Sequence, residues 1–375
     1  MKRILLILFC LACGMSPRAV FSQGSLTPPG PPGPTMKSLS EIDAHITSGV
    51  TDIDGHVASA GEKRTAISSL PYTIKAPGSF YFTKNLTAAS ADGAGITVSA
   101  DNVTIDLNGF ALTGGGGSGT VSGIDVPKPH KNLCVRNGTI SGWREAGISA
   151  ENVTGALYEK LRLVGNTAGD GLHGGPTSSV IGCVAFNNNA SGIRVGEQSL
   201  VSQCTSANNY SGIILGDYGT VLHSTASGDV VGIEAATGCT IADCTAGGNS
   251  AGISTAFGCS VRGCTVRNNF EYGIRASAGN QITGNTCDLN NPTARSSDAG
   301  IEILGDSNLI DSNTMTTNGN AGLKVFSAGN LIIRNIFGGA EYILAPGNTV
   351  GPLIEMGGGG TLTTTSPWAN IRCRN

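Results

Sequence analysis

The segment Asp170-Gly171-Leu172-His173-Gly174, with Arg194 about one repeat later, holds three side chains whose types could do chemistry together. A charged group can neutralise a substrate carboxylate, and a buried or paired imidazole, or an arginine held near other cations, can remove the proton on the carbon beside it. That is the work of β-elimination or C5 epimerisation on a uronate. Cleaving a glycosidic bond with water needs two flanking carboxylates instead, and no such pair is evident in the sequence. The plainer alternative is a turn aspartate beside a solvated imidazole.

What must position these residues is a repeat. Gly followed by Ile or Leu recurs at Gly95, Gly123, Gly147, Gly171, Gly192, Gly212, Gly232, Gly252, Gly273, Gly300 and Gly322. Such a period means stacked units, none of which buries its apolar face alone. Between beats lie short period-two runs separated by Gly, Asn or Asp, three to a repeat, as in Val103-Thr104-Ile105-Asp106-Leu107. Three short strands per coil, each stacking on its counterpart, predict an all-β, single-stranded parallel β-helix of about 11 coils. Its hand follows from the right-handedness of parallel crossovers.

Within each Gly-Ile-x unit, Ile points in and x points out. The outward column is Thr97, Asp125, Ser149, His173, Arg194, Ile214, Glu234, Ser254, Arg275, Glu302 and Lys324. Arg275, Glu302 and Lys324 alternate in sign, which predicts either an exposed salt-bridge ladder or a polar groove along the axis. Aromatics that could stack on sugar faces are few: Tyr210, Phe270 and Tyr272 before Gly-Ile units, with Trp143 and Tyr218 as further candidates. Glu234, Tyr210, Tyr272, Arg275, Glu302 and Lys324 are therefore the candidate binding residues.

Two more columns run at fixed phase. Cys183, Cys204, Cys244 and Cys264, with Ser224 filling the gap, are continued by Asn285, Asn313 and Asn335; Cys239 and Cys259 are continued by Asn280, Asn308 and Asn330. Stacked cysteines read as small core residues, free rather than bridged, although coil spacing does not forbid a bridge. Stacked asparagines can bond one another along the axis, since an amide both donates and accepts.

The ends differ from the middle. Lys2-Arg3, an apolar run from Ile4 to Ala12 and small residues to Ser22 predict an export signal over 1–22. A lipidated Cys13 is the alternative. Residues 23–65 read as a Pro/Gly linker followed by a short helical cap from Leu39 to Val57, residues 66–345 as the solenoid, and 346–375 as an extended tail with Trp368 anchored on the last coil. Removing the signal leaves 20 basic and 26 acidic residues with no basic stripe, which argues against nucleic acid as partner. No later run has the ~20 apolar residues of a membrane span.

Asn102-Val103-Thr104-Ile105-Asp106-Leu107-Asn108-Gly109-Phe110 and Arg136-Asn137-Gly138-Thr139-Ile140 resemble the opening coils of the pectate-lyase-like group of right-handed parallel β-helix proteins. Ile67-Ser68-Ser69-Leu70-Pro71-Tyr72, Gly78-Ser79-Phe80-Tyr81 and Pro367-Trp368-Ala369-Asn370 are similar to exported bacterial β-helix proteins without assigned activity. The resemblance implies a secreted or periplasmic protein that binds or processes a polysaccharide or cell-surface glycan, or else a non-catalytic structural or adhesive module. The acid-flanked Pro-His motif of alginate epimerases is absent, since Pro127-Lys128-Pro129-His130 lacks both acids. Ca²⁺ is the cofactor such a groove could take, but Asp298, Glu302, Asp306 and Asp311 form no evident cage.

Overall fold

The computed structural model describes residues 63–89, 93–115, 121–292, 299–338, 341–357 and 364–373. The signal, linker and helical-cap expectations, and Asp298, fall outside them. Every described element is a strand, and nearly all pair in parallel with the same strand of the adjoining coil, giving a right-handed solenoid.

One coil shows the plan. The Gly-Ile strand Ser211–Leu215 is followed by Thr220–Leu222 and Thr225–Ser227. Each corner is turned by one residue in the left-handed region, as at Gln198 (φ 56°), Gln203 (φ 56°) and Asn208 (φ 56°) in the coil before. Polar and glycine residues take that conformation at least cost. The Gly-Ile strands make a sheet of 13 strands. The other two strand columns merge into a sheet of 26, because Leu133–Ser141 and Leu157–Val164 run straight through the corner between them.

Thirteen coils replace the expected 11. Tyr72 and Tyr342 occupy the Ile position in the first and last, pairing with Ile96 and Leu323, and neither follows a glycine. The tail also differs from an extended strap. Asn370–Cys373 pairs with both Ile336–Gly338 and Leu353–Met356, so it extends the sheet as a further rung. Arg334 lies over Trp368 at 5.3 Å, but the indole remains half exposed.

The core is a stack of inward Ile, Val and Leu from all three faces. Both columns at the corners are present. Asn285 Nδ2 donates to Asn313 Oδ1 (3.0 Å), Asn313 to Asn335 (3.1 Å) and Asn335 to Asn370 (3.1 Å). Asn308 donates to Asn330 (2.9 Å) and Asn330 to Asn348 (3.0 Å). Upstream, the thiols donate to main-chain carbonyls instead, as Cys239 Sγ does to Gly216 at 3.1 Å.

The third corner carries a longer ladder that the sequence reading missed. It runs Asn166, Asn188, Asn209, Asp229, Asn249, Asn269, Asn290, Asn318, all buried. Each amide bonds the next, as Asn166 to Asn188 (2.8 Å), Asn269 to Asn290 (2.8 Å) and Asn290 to Asn318 (3.1 Å). Trp143 plugs its upstream end: its main-chain N–H donates to Asn166 Oδ1 and its indole N–H to the Leu112 carbonyl. This ladder explains the Gly-Ile beat. A Cβ on Gly192 would meet Asn209 Nδ2 at 2.8 Å, and one on Gly252 would meet Asn269 Nδ2 at 2.8 Å. The amides fill the space that a side chain would need.

All nine described cysteines are free, and seven are buried. A thiol reagent should therefore label Cys134 and Cys373 in the native protein, and the other seven only on unfolding. Prompt labelling of more than two would contradict this packing.

Candidate functional site

The register places the outward column on one sheet face as read: Asp125 beside Ser149, Ser149 beside His173, His173 beside Arg194, and so on through Arg275, Glu302 and Lys324. Successive members are about one strand spacing, ~4.8 Å, apart.

Asp170, His173 and Arg194 converge. Asp170 sits in the turn before its strand, nearly buried, and one carboxylate oxygen accepts the Ser191 N–H at 2.7 Å, which fixes the carboxylate. The other lies 3.6 Å from His173 Nδ1 and 3.4 Å from Arg194 Nε. The Arg194 contact is an ion pair without hydrogen-bond alignment; its Nη2 donates to Ser191 Oγ at 3.0 Å.

The sequence reading missed the acids upstream. Glu151 lies 4.0 Å from His173 Nδ1 and accepts a hydrogen bond from Ser149 Oγ at 3.2 Å. Burial pushes the Asp125 carboxyl up; a hydrogen bond with Ser149 partly offsets this, and Glu145 and Glu151 add to the rise. A polar chain thus runs Asp125–Ser149–Glu151–His173–Asp170–Arg194 across four coils. Asp125 was already in the outward column, but Glu145 and Glu151 flank the Gly147-Ile148 pair and join it only through side-chain reach.

Downstream, Ile214 and Glu234 are followed by a shallow depression of about 330 Å³, lined also by Ser254, Ala256 and Ser277. Glu234 is exposed there, and Tyr210, which does not line the depression, is exposed in the turn before Ser211–Leu215. Beyond it, two expectations change. The Arg275–Glu302 pair forms (2.8 Å), but Glu302 is buried, so this is a covered pair rather than an exposed ladder rung. Tyr272 is buried too, with the Arg275 guanidinium stacked 3.7 Å from its ring centroid, so no face is left for a sugar. Desolvation raises its phenol. Lys324 Nζ lies over the Phe326 ring at 4.8 Å. Trp143 is core; Tyr218 and Phe270 are exposed.

Asp311 is held by Arg334 and Glu302 by Arg275. Among the described residues, no group of three or more His, Cys, Asp or Glu is arranged to hold a metal ion, and no helix is long and apolar enough to cross a membrane. An apolar pocket of about 360 Å³, lined by Leu331, Val350 and Trp368 among others, lies at the C-terminal end away from this chemistry.

A family model described as "Right handed beta helix region" matches residues 122–287 and 251–337. Among solved structures, the A-module of the Azotobacter vinelandii mannuronan C-5 epimerase AlgE6 superposes with a TM-score of 0.55 at 12% identity, covering 87% of this chain and 93% of that one. The AlgE4 A-module of the same organism gives 0.49 at 12% identity, with 80% and 86% covered. The Dettilon tailspike protein gp208 gives 0.45 at 16%, with 79% and 64% covered. No curated protein matches the chain.

Proposed function

The chain belongs to the right-handed β-helix family, and from that premise we propose that the Gly-Ile face binds a polysaccharide laid along the solenoid axis, with Asp170, His173 and Arg194 as its reaction centre. The observation that carries the reading is the polar chain from Asp125 to Arg194. It places a cation, an imidazole and a half-buried acid on one outward face, spaced over four coils. The likeness to the AlgE6 module speaks for the fold alone.

The chemistry these groups suit is proton removal beside a uronate carboxylate. Arg194 neutralises the substrate carboxylate and so acidifies the C5 proton. His173, oriented through Nδ1 by Asp170, takes that proton at Nε2. In β-elimination the C5–H electron pair becomes the C4–C5 double bond, the C4–O bond breaks, and the leaving oxygen takes a proton from a nearby acid. Asp125 stands two coils upstream on the same face, and we assign that proton donation to it. Returning a proton to the opposite side of C5 would give epimerisation. Glu234 and Tyr210 extend the binding face, with Arg275 and Lys324 beyond them; Tyr272 and Glu302, both buried, make no sugar contact.

A second reading has its own observation. The charges on this face are substantially paired with one another, Asp170 with Arg194 and Arg275 with Glu302, as suits a non-catalytic rod or adhesive module. Export to the periplasm or cell surface belongs to both readings.

The test is to incubate the protein with polyuronates in D₂O. Elimination gives unsaturated ends that absorb in the ultraviolet, and epimerisation gives deuterium at C5. His173→Ala should lower either rate by about 10²–10⁴-fold, with the fold unchanged by circular dichroism. Binding without turnover across neutral and acidic glycans would favour the adhesive module, and an unchanged rate in His173→Ala would remove His173 from the reaction.

A further inference from the structure

The third-corner ladder contains one residue of the wrong chemistry. Seven of its eight members are asparagines, and the fourth is Asp229, 3% exposed. Its first oxygen behaves as an Asn Oδ1 would, accepting from the Asn209 main-chain N–H (2.7 Å) and Asn209 Nδ2 (3.1 Å). Its second oxygen stands where the amide nitrogen belongs and has no hydrogen-bond partner.

The neighbouring rungs show what that position faces. Asn249 Nδ2 donates to the Ala226 carbonyl at 3.2 Å and to Asn269 Oδ1 at 3.1 Å; Asn269 Nδ2 donates likewise to the Ala246 carbonyl and to Asn290 Oδ1. One coil earlier, the repeat sets the second oxygen of Asp229 toward the Ser206 carbonyl and Asn249 Oδ1. Both are acceptors. An ionised carboxylate there is an acceptor facing acceptors, out of contact with water, and its only link to Asn249 is its own main-chain N–H (2.9 Å). A carboxylic acid carries one donor and can close the gap.

We propose that Asp229 is held in the folded solenoid as a neutral carboxylic acid whose proton completes the ladder toward Asn249, so that the coil stack contains one titratable joint. The groups packed on it are Asn209 and Ser206 from the coil before, Gly212 on the strand it faces, Ala226 and the Ser227 backbone in its own coil and Asn249 from the coil after. None of them titrates, and no charged side chain acts on it. Burial accordingly pushes its carboxyl up to about 6, outweighing the hydrogen bonds from Asn209 and the pull of the Ser227 backbone. The joint lies just before Val231–Ala235, the strand that carries Glu234. Loss of the proton therefore loosens the solenoid at mid-length, beside the depression on the outward face.

The sign follows from linkage. Below the ordinary aspartate value of 3.8 both folded and unfolded chains hold the proton, and the joint costs nothing. Between there and about 6 the unfolded chain ionises first, so this group makes folding less favourable as pH rises. Above about 6 the cost is constant.

The experiment is urea unfolding of the full chain at intervals from pH 4 to pH 8, beside Asp229→Asn, which supplies the missing donor at every pH. The ratio of the two folding equilibrium constants should grow in favour of the variant across this range, to roughly a hundredfold. Hydrogen exchange should show faster opening of the 227–235 amides at pH 8 than at pH 5 in the wild type only. A protonated-carboxyl infrared band that fades near pH 6 and is missing from Asp229→Asn would mark the group directly. Identical pH dependence of the two proteins, or a variant less stable throughout, would overturn the proposal.

Discussion

Asn269→Leu should destabilise the solenoid by about 4 kcal/mol or more, although leucine has nearly the same shape. Asn269 is fully buried and sits mid-ladder. Its amide donates to the Ala246 carbonyl (3.1 Å) and to Asn290 Oδ1 (2.8 Å). Its oxygen accepts from the Asn249 main-chain N–H (3.0 Å) and Asn249 Nδ2 (3.1 Å). Leucine removes all four bonds: Asn290 Oδ1 keeps the Asn269 main-chain N–H and Asn249 Nδ2 keeps the Ala226 carbonyl, but the Ala246 carbonyl and the Asn249 main-chain N–H lose their ladder partner, at roughly 1–3 kcal/mol each before relaxation. Because each coil contacts only its neighbours, the loss falls on the coils around 249–290. Urea unfolding should then show either a lower midpoint or a separate early transition in that region. A change under 1 kcal/mol would mean that the ladder is ornamental.

Gly252→Ala should cost about 3 kcal/mol or more for a different reason. The backbone of Gly252 is one that alanine adopts easily, so dihedral strain plays no part. The new methyl would lie 2.3 Å from the Gly273 carbonyl oxygen, 2.7 Å from Val266 and 2.8 Å from Asn269 Nδ2. Two of these belong to main chain and ladder, which cannot give way without parting two coils. Gly248→Ala supplies the contrast. That residue has φ +70° and nothing within 4 Å of the added methyl, so it should lose only the left-handed penalty of roughly 1–2 kcal/mol. If Gly248→Ala proved the worse of the two, conformation rather than close approach would be what the beat preserves.

The contrast also shows what could be read from sequence. The Gly-Ile pairs gave the phase of eleven of the thirteen coils, because a residue placed against the next coil tolerates no substitute, and the outward column followed by counting. The asparagines of the third corner escaped notice. Their distance to the following glycine is three residues at Asn209 and Asn249 but four at Asn188 and Asn269, since the corner absorbs an extra residue without disturbing the amide. Asparagine is also common in turns for reasons unconnected with ladders.

The site was legible in part. Asp170, His173 and Arg194 meet because two of them share the outward column and the third lies in the turn that feeds it. Glu145 and Glu151 join through side-chain reach, which period-two counting does not report. Tyr272 and Glu302 carry the opposite lesson. The phase sets Glu302 outward, yet it is buried, because the Arg275 side chain on the neighbouring coil pairs with it and lies across Tyr272 as well.

The three ladders share one orientation. Asn166 donates to Asn188, Asn308 to Asn330 and Asn335 to Asn370, always from the earlier coil to the later. Their amide dipoles therefore add instead of cancelling, with the N–H ends turned toward the C-terminal coils. A sheet has little net moment of its own, so the stacked side chains give the rod an electrical direction. Its two ends are distinguishable by field as well as by shape.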